Sequence, residues 1–255
     1  MSTSIIDVTA ENVDKTGFFC FMSRRKSEGF QRKLEWVKAR FSDGMHIKMF
    51  ELPERGFIEY IPGQHAWRAV NSNGYMFIHC LWVVGKSKGK GLGGILLEEC
   101  IRDAEEAGMA GVAMITSESN WLTGNKLLLK SGFESVDFAP PAFNLMVRKF
   151  KDFPSPSFLP GVEKRAEKYQ QGLTVFHSDQ CPYIPDAVDQ VKKISGERGI
   201  PFQVIELLSA EDARMSAPSP YGVFSIVFNG RMLSYHYLLP KDLNKRLDEI
   251  KEKGG

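Results

Sequence analysis

Cysteine is scarce in this 255-residue chain, with four residues, Cys20, Cys80, Cys100 and Cys181, and no Cys-x-x-Cys pair among them. Such dispersal offers neither a disulfide framework nor a zinc motif, so reduced thiols and no metal are expected. Charge imbalance is missing as well. The 33 basic and 31 acidic residues leave a net +2, which gives no broad field for a polyanion, and no aromatic-and-basic stripe offers base stacking. Nucleic acid is set aside as a partner. Long hydrophobic runs are absent too: the longest uncharged apolar stretch, Gly74 to Gly85, contains His79 and is too short to cross a bilayer. Met1 to Ala10 lacks the basic and hydrophobic regions of a signal peptide. A soluble, cytoplasmic protein with no membrane partner is the expectation.

What is present is enough apolar material, 43% of residues, for one large domain or two ordinary ones. The segment Asp152-Phe153-Pro154-Ser155-Pro156-Ser157-Phe158-Leu159-Pro160-Gly161 favours two, because its prolines lack N–H donors and restrict the residues before them. The expected division is residues 1–151, a linker at 152–163, and residues 164–255.

The most informative stretch is Lys88-Gly89-Lys90-Gly91-Leu92-Gly93, followed by Gly94. It comes after the apolar run Met76 to Val84 and opens the helix-patterned segment Leu92 to Ala107. A glycine-rich strand-to-helix turn presents backbone N–H groups to an anion, and the helix dipole adds about half a positive charge. Gly89, Gly91 and Gly93 remove Cβ atoms that would hold a diphosphate away, and Lys88 and Lys90 flank it. A Walker loop is excluded because Ile95 stands where Lys-Ser/Thr would follow. The dinucleotide fingerprint Gly-x-Gly-x-x-Gly fails as well.

These residues resemble the acetyl-CoA loop of the GNAT acyltransferases, Gln/Arg-x-x-Gly-x-Gly/Ala, with Lys88 at the first position. The helix-patterned segment Thr123 to Ser131, ending in Gly132-Phe133, is similar to the family's Tyr-x-x-x-Gly-Phe ending. The resemblance covers roughly residues 1 to 150, and the whole chain is similar to proteins that pair a GNAT domain with a YoaP-like C-terminal domain. It implies an α/β (α+β) architecture: a mixed central sheet flanked by helices, then a smaller thioredoxin-like α/β domain. It further implies acetyl-CoA as cosubstrate, held by residues 88–94, and a thioester carbonyl polarised by main-chain amides around Trp82, Val83 and Val84. Leu128 stands where many members carry the tyrosine that protonates the departing thiolate, and leucine has no proton to give.

An amine acceptor with pKa near ~10 must lose a proton before it attacks, so a base is needed. His79 lies on the strand entering the turn, at a distance before Lys88 similar to that of a catalytic histidine in the arylalkylamine branch of the family. A hydrogen-bonded core histidine is the competing account. Strand alternation expects His79 on the face of Leu81 and Val83, with Cys80 and Trp82 opposite. Glu59, charged within Phe57 to Ile61, is a candidate second base or amine anchor, or else part of a solvated strand face. Tyr60 and Tyr75 are candidates for the missing acid. Trp67 and Arg68 line a substrate mouth or, more ordinarily, form a packed tryptophan beside an exposed arginine. A free cysteine such as Cys80 usually behaves as a small buried hydrophobe.

The C-terminal part reads as strand Leu173 to His177, Cys181-Pro182-Tyr183, helix Ile184 to Gly196, strand Phe202 to Leu207, a Pro-rich turn, a hairpin about Asn229-Gly230, and an amphipathic helix from Lys241. Its order resembles thioredoxin and glutaredoxin folds, but Ile184 replaces the second cysteine, which removes dithiol exchange. Cys181 remains a possible thiol site at a helix start, and Pro220 is the candidate for the cis-proline of that family. The reading is therefore an acetyl-CoA-dependent N-acyltransferase acting on a small-molecule or peptide amine. The alternative is a non-catalytic CoA-binding or thiol-sensing protein whose C-terminal domain recruits a partner or thiol compound.

Overall fold

The computed structural model describes residues 4–118 and 122–253 and divides into two compact units. The first holds the chain through Ala66 and again from Val70 to Leu159. The second holds Trp67–Ala69 and the chain from Pro160 onward.

The first unit begins with β1 (Ile5–Val8), a one-turn helix α1 (Val13–Thr16) and α2 (Glu28–Phe41). The sequence pattern suggests one helix from Asn12 with a break near Ser27. Instead, positive φ at Gly17, Phe19 and Phe21 ends the helical path early. Ser27 restarts it, its Oγ accepting the Phe30 N–H at 3.4 Å as an N-cap. Then follow β2 (His46–Phe50), β3 (Gly56–Pro62), β4 (Val70–Asn71), β5 (Met76–Val83), α3 (Leu92–Glu106), β6 (Gly111–Thr116), α4 (Asn125–Lys130), β7 (Glu134–Ala139), β8 (Phe143–Lys149) and β9 (Ser157–Phe158). A seven-stranded mixed sheet runs β1-β2-β3-β5-β6-β8-β7, with β5 and β6 parallel, and β4 pairs with β9 separately.

One face of the sheet is covered by α3. Its Leu92, Leu96, Leu97, Cys100, Ile101 and Ala104 are buried against Ile58, Tyr60, Met76, Ile78, Val112 and Met114. Each fully buried aliphatic side chain contributes about 1.5–3 kcal/mol. Lys48 pins that helix to the sheet, its Nζ lying 3.2 Å from Glu99 and 3.1 Å from Asp103. Tyr60 donates to Asp103 at 2.5 Å.

The other face carries α2, and the register between β3 and β5 explains what it meets. Glu59 pairs with Cys80 and Tyr60 pairs with Ile78, so His79 is an extra, bulged residue. The bulge overturns the expected alternation. Ile78 and Leu81 both pack in the α3 core, whereas His79 lies beside Trp36 of α2 and Glu59.

The second unit comprises β10 (Leu173–His177), α5 (Ile184–Glu197), β11 (Phe202–Glu206), α6 (Ala210–Ser216), β12 (Phe224–Phe228), β13 (Arg231–Ser234) and α7 (Pro240–Lys253). The sheet order is β11-β10-β12-β13, with β10 and β11 parallel and the other pairs antiparallel. Leu243 and Leu247 of α7 are fully buried and join Val191 and Ile194 of α5 in one core. Asn229 (φ 47°) and Gly230 (φ 77°) make the β12–β13 turn. Where the sequence suggests only a Pro-rich turn, α6 forms, with Ser209 Oγ accepting from Asp212 N at 3.0 Å. Pro220 is not cis; among the described residues the cis bonds precede Pro53 and Pro141. Arg68 is buried rather than exposed, donating to Trp67 O at 2.8 Å and to Gln180 Oε1. Among the described residues, no helix is long and apolar enough to cross a membrane.

Candidate active site

The glycine turn lies at the end of β5, and its glycines do different jobs. Gly89 (φ +80°) and Gly91 (φ +78°) adopt a left-handed conformation that side chains resist, with open space where a Cβ would stand. A Cβ on Gly93 would come 3.1 Å from Leu127 of α4, so its smallness also serves the packing of α3 on α4. Gly94 has open space at its Cβ position. Gly91 is the N-cap of α3, and its carbonyl accepts from Gly94 (3.0 Å) and Ile95 (3.4 Å). The Leu92 and Gly93 amides therefore belong to the first turn, where a helix has no carbonyl of its own to offer them. Of the two flanking lysines, Lys90 is engaged with Glu54 at 2.6 Å. The Lys90 and Ser87 hydrogen bonds hold the Glu54 carboxyl below its ordinary range.

Beside this turn the sheet opens. The β5–β6 ladder runs from Met76↔Val112 to Ile78↔Met114 and stops, although β5 continues to Val83 and β6 to Thr116. On its other side β5 stays paired with β3, and the Val84 amide donates to Arg55 O at 3.0 Å. Antiparallel pairing alternates, so the Trp82 amide also points toward β3 while those of Leu81 and Val83 point into the opening. Of Trp82, Val83 and Val84, the geometry thus leaves Val83 as the main-chain donor aimed there. Thr123 closes over the gap, donating to Leu81 O at 3.1 Å.

Across the sheet lies a buried charge cluster. Glu59 is 2% exposed, which excludes the solvated strand face. Its Oε2 meets Lys33 Nζ at 2.6 Å, and its Oε1 lies 3.7 Å from His79 Nδ1. Burial alone would raise the Glu59 pKa; the Lys33 charge and the His79 contact outweigh it and bring the carboxyl down to about 2. Lys33 also sits over the Trp36 ring, 4.4 Å from its centroid, an arrangement that favours a cation. Lys33 is absent from the sequence-based site. Its signal was available: it lies three residues after Phe30 and four before Val37, on the buried stripe of α2.

The candidate acids are elsewhere. Leu128 is fully buried in the α3 core. Tyr60 is committed to Asp103, with burial as the largest cause pushing its pKa up, and Tyr75 donates to Pro154 O at 3.0 Å. Cys80 is half-buried, and burial pushes the Cys100 thiol up. Cys181 is half-buried and precedes the α5 N-cap, Tyr183, by two residues.

Residues 19–133 match the model of the acetyltransferase (GNAT) family. A Bacillus subtilis (strain 168) protein, the uncharacterized N-acetyltransferase YoaP, is 31% identical over 251 residues, covering 96% of this chain and 98% of its own length. Among solved structures, the PaiA N-acetyltransferase of Thermoplasma acidophilum in complex with coenzyme A is 16% identical, covering 59% of this chain and 100% of its own, with a TM-score of 0.42. A GNAT-family acetyltransferase from Staphylococcus aureus Mu50 is 14% identical over the same 59% and 100%, also at 0.42. With a relative matched almost end to end and the family model spanning the strand, turn and helix of the site, the chain belongs to the GNAT acetyltransferase family.

Proposed function

We propose that the protein is an acetyl-CoA-dependent N-acetyltransferase that passes an acetyl group to an amine of a small molecule or peptide by direct attack. The observation that carries this is the parting of β5 from β6 just before the bulged His79, with the glycine turn at the end of the same strand. Residues 88–94 hold the diphosphate through the Leu92 and Gly93 amides and the α3 dipole. The Val83 amide polarises the thioester carbonyl; one such donor is worth about 2.7–4 kcal/mol elsewhere. His79 relays the proton of the attacking amine. Glu59, with a carboxyl near 2, is too weak a base to take that proton itself. It acts as a positioning residue, its fixed negative charge stabilising the positive charge that His79 acquires.

Calorimetry of the full chain with acetyl-CoA tests the reading: saturable binding at one per chain is expected, and no binding by folded protein ends it. Glu54→Gln sharpens the test, because it removes a negative charge beside the turn and releases Lys90 toward the phosphates. Acetyl-CoA affinity should rise about two- to fivefold, and the gain should shrink at high salt.

The fully buried Leu128 favours a second reading, a CoA-binding protein that senses rather than transfers, with Cys181 recognising a thiol. Acetylation of any compound in a broad amine screen decides against it. In the transferase reading water protonates the thiolate, and the second unit, whose β11-β10-β12-β13 order resembles a thioredoxin fold, recruits the acceptor.

A further inference from the structure

We infer that the second unit carries a divalent transition-metal site built from His177, Asp179 and Glu206. The ligand atoms of these three side chains lie within 4.8 Å of one another, although the residues come from the end of β10, the loop after it and the end of β11. Their convergence follows from the sheet. His177 and Glu206 are register partners in the parallel β10–β11 ladder, so both project from the same face at its carboxyl edge.

The backbone on either side is held firmly. Leu207 N donates to His177 O at 2.7 Å, fixing the end of β11, and Ser178 N donates to Val223 O at 3.0 Å, fixing the residue between His177 and Asp179. His177 is 6% exposed, whereas Glu206 reaches solvent, so the cluster has a buried floor and an open mouth. Bound donors about 2.1 Å from an ion stand roughly 3 to 4 Å apart, which small rotations of Asp179 and Glu206 achieve. One imidazole nitrogen and two carboxylates supply two formal negative charges, matching a divalent cation. This donor set suits Zn²⁺ and its first-row neighbours and leaves a coordination position open. Cysteine spacing gives no hint of such a site, and the inference does not depend on acetyl transfer.

The test uses the full chain, treated with a chelator and dialysed, then titrated with Zn²⁺ by calorimetry and followed by thermal unfolding. One equivalent should bind and raise the unfolding midpoint. Asp179→Asn and Glu206→Gln, both at accessible positions, should each weaken binding by roughly tenfold or more and abolish the midpoint shift. Absence of saturable binding by the parent chain, or parent-like affinity in either variant, overturns the assignment. Circular dichroism of each variant without metal establishes that the fold is retained.

Discussion

Lys33→Met is expected to destabilise the protein by about 3 to 5 kcal/mol, read as a lowered urea midpoint at pH 7. Among the described residues, the substitution removes the cation that lies 2.6 Å from a carboxylate that is 2% exposed, and methionine offers it nothing. His79 cannot replace Lys33, because at 3.7 Å its ring is more distant and its charge depends on pH. The companion variant Lys33→Met/Glu59→Leu should recover most of the loss, since removing both charges also removes their desolvation cost. If the single variant unfolds at the parental midpoint, the ion pair is not what holds α2 against the sheet. Acid gives an independent measure. Glu59 falls from an ordinary 4.5 to about 2 on folding. Its contribution is therefore complete above pH 4.5 and is lost as pH falls through 2, a change on the order of 3 kcal/mol. The double variant should lack that part of the acid sensitivity.

His79→Gln should slow acetyl transfer by about 10²- to 10⁴-fold at neutral pH while leaving acetyl-CoA affinity unchanged by calorimetry. Glutamine keeps the volume and hydrogen-bonding capacity of the site but cannot carry a proton away. The pH–rate profile separates this role from a structural one. The parent should show a rise in kcat/KM with pH as the imidazolium loses its proton, and the variant should have lost that limb along with the rate. A variant with parental turnover and the same pH profile makes His79 a core histidine, and the base must then be sought on the acceptor side of the opening. Activity of the Glu59→Gln variant, measured on the folded fraction alone, should fall less than that of His79→Gln, because Glu59 acts through its neighbour.

The strand, turn and helix that define the family were legible in the sequence because their signals are local: an apolar run, closely spaced glycines and a 3.6-residue period all fall between Met76 and Glu106. What escaped was set by partners distant in the chain. The His79 bulge exists only in the register of β3 against β5, so alternation counted along β5 alone assigns the wrong face. Lys33 and Glu59 are 26 residues apart, and although Lys33 falls on the buried stripe of α2, nothing local names the carboxylate that it meets. The edge strand β7, Glu-Ser-Val-Asp-Phe-Ala, has no fully buried position, so no apolar run marks it in the sequence. Gly93 shows a subtler limit: its place in the turn was clear, but the neighbour that a Cβ there would crowd, the Leu127 side chain, belongs to another helix.

The partial ladder between β5 and β6 has a further consequence. A strand paired on both sides for three residues and on one side thereafter behaves like a zipper opened from one end. In the proposed function its unlatched amides donate to the carbonyls of the cosubstrate arm, and any other extended peptide segment competes for the same donors. The Thr123 hydroxyl already satisfies the Leu81 carbonyl on that side, so the acceptor there is taken before any tether arrives.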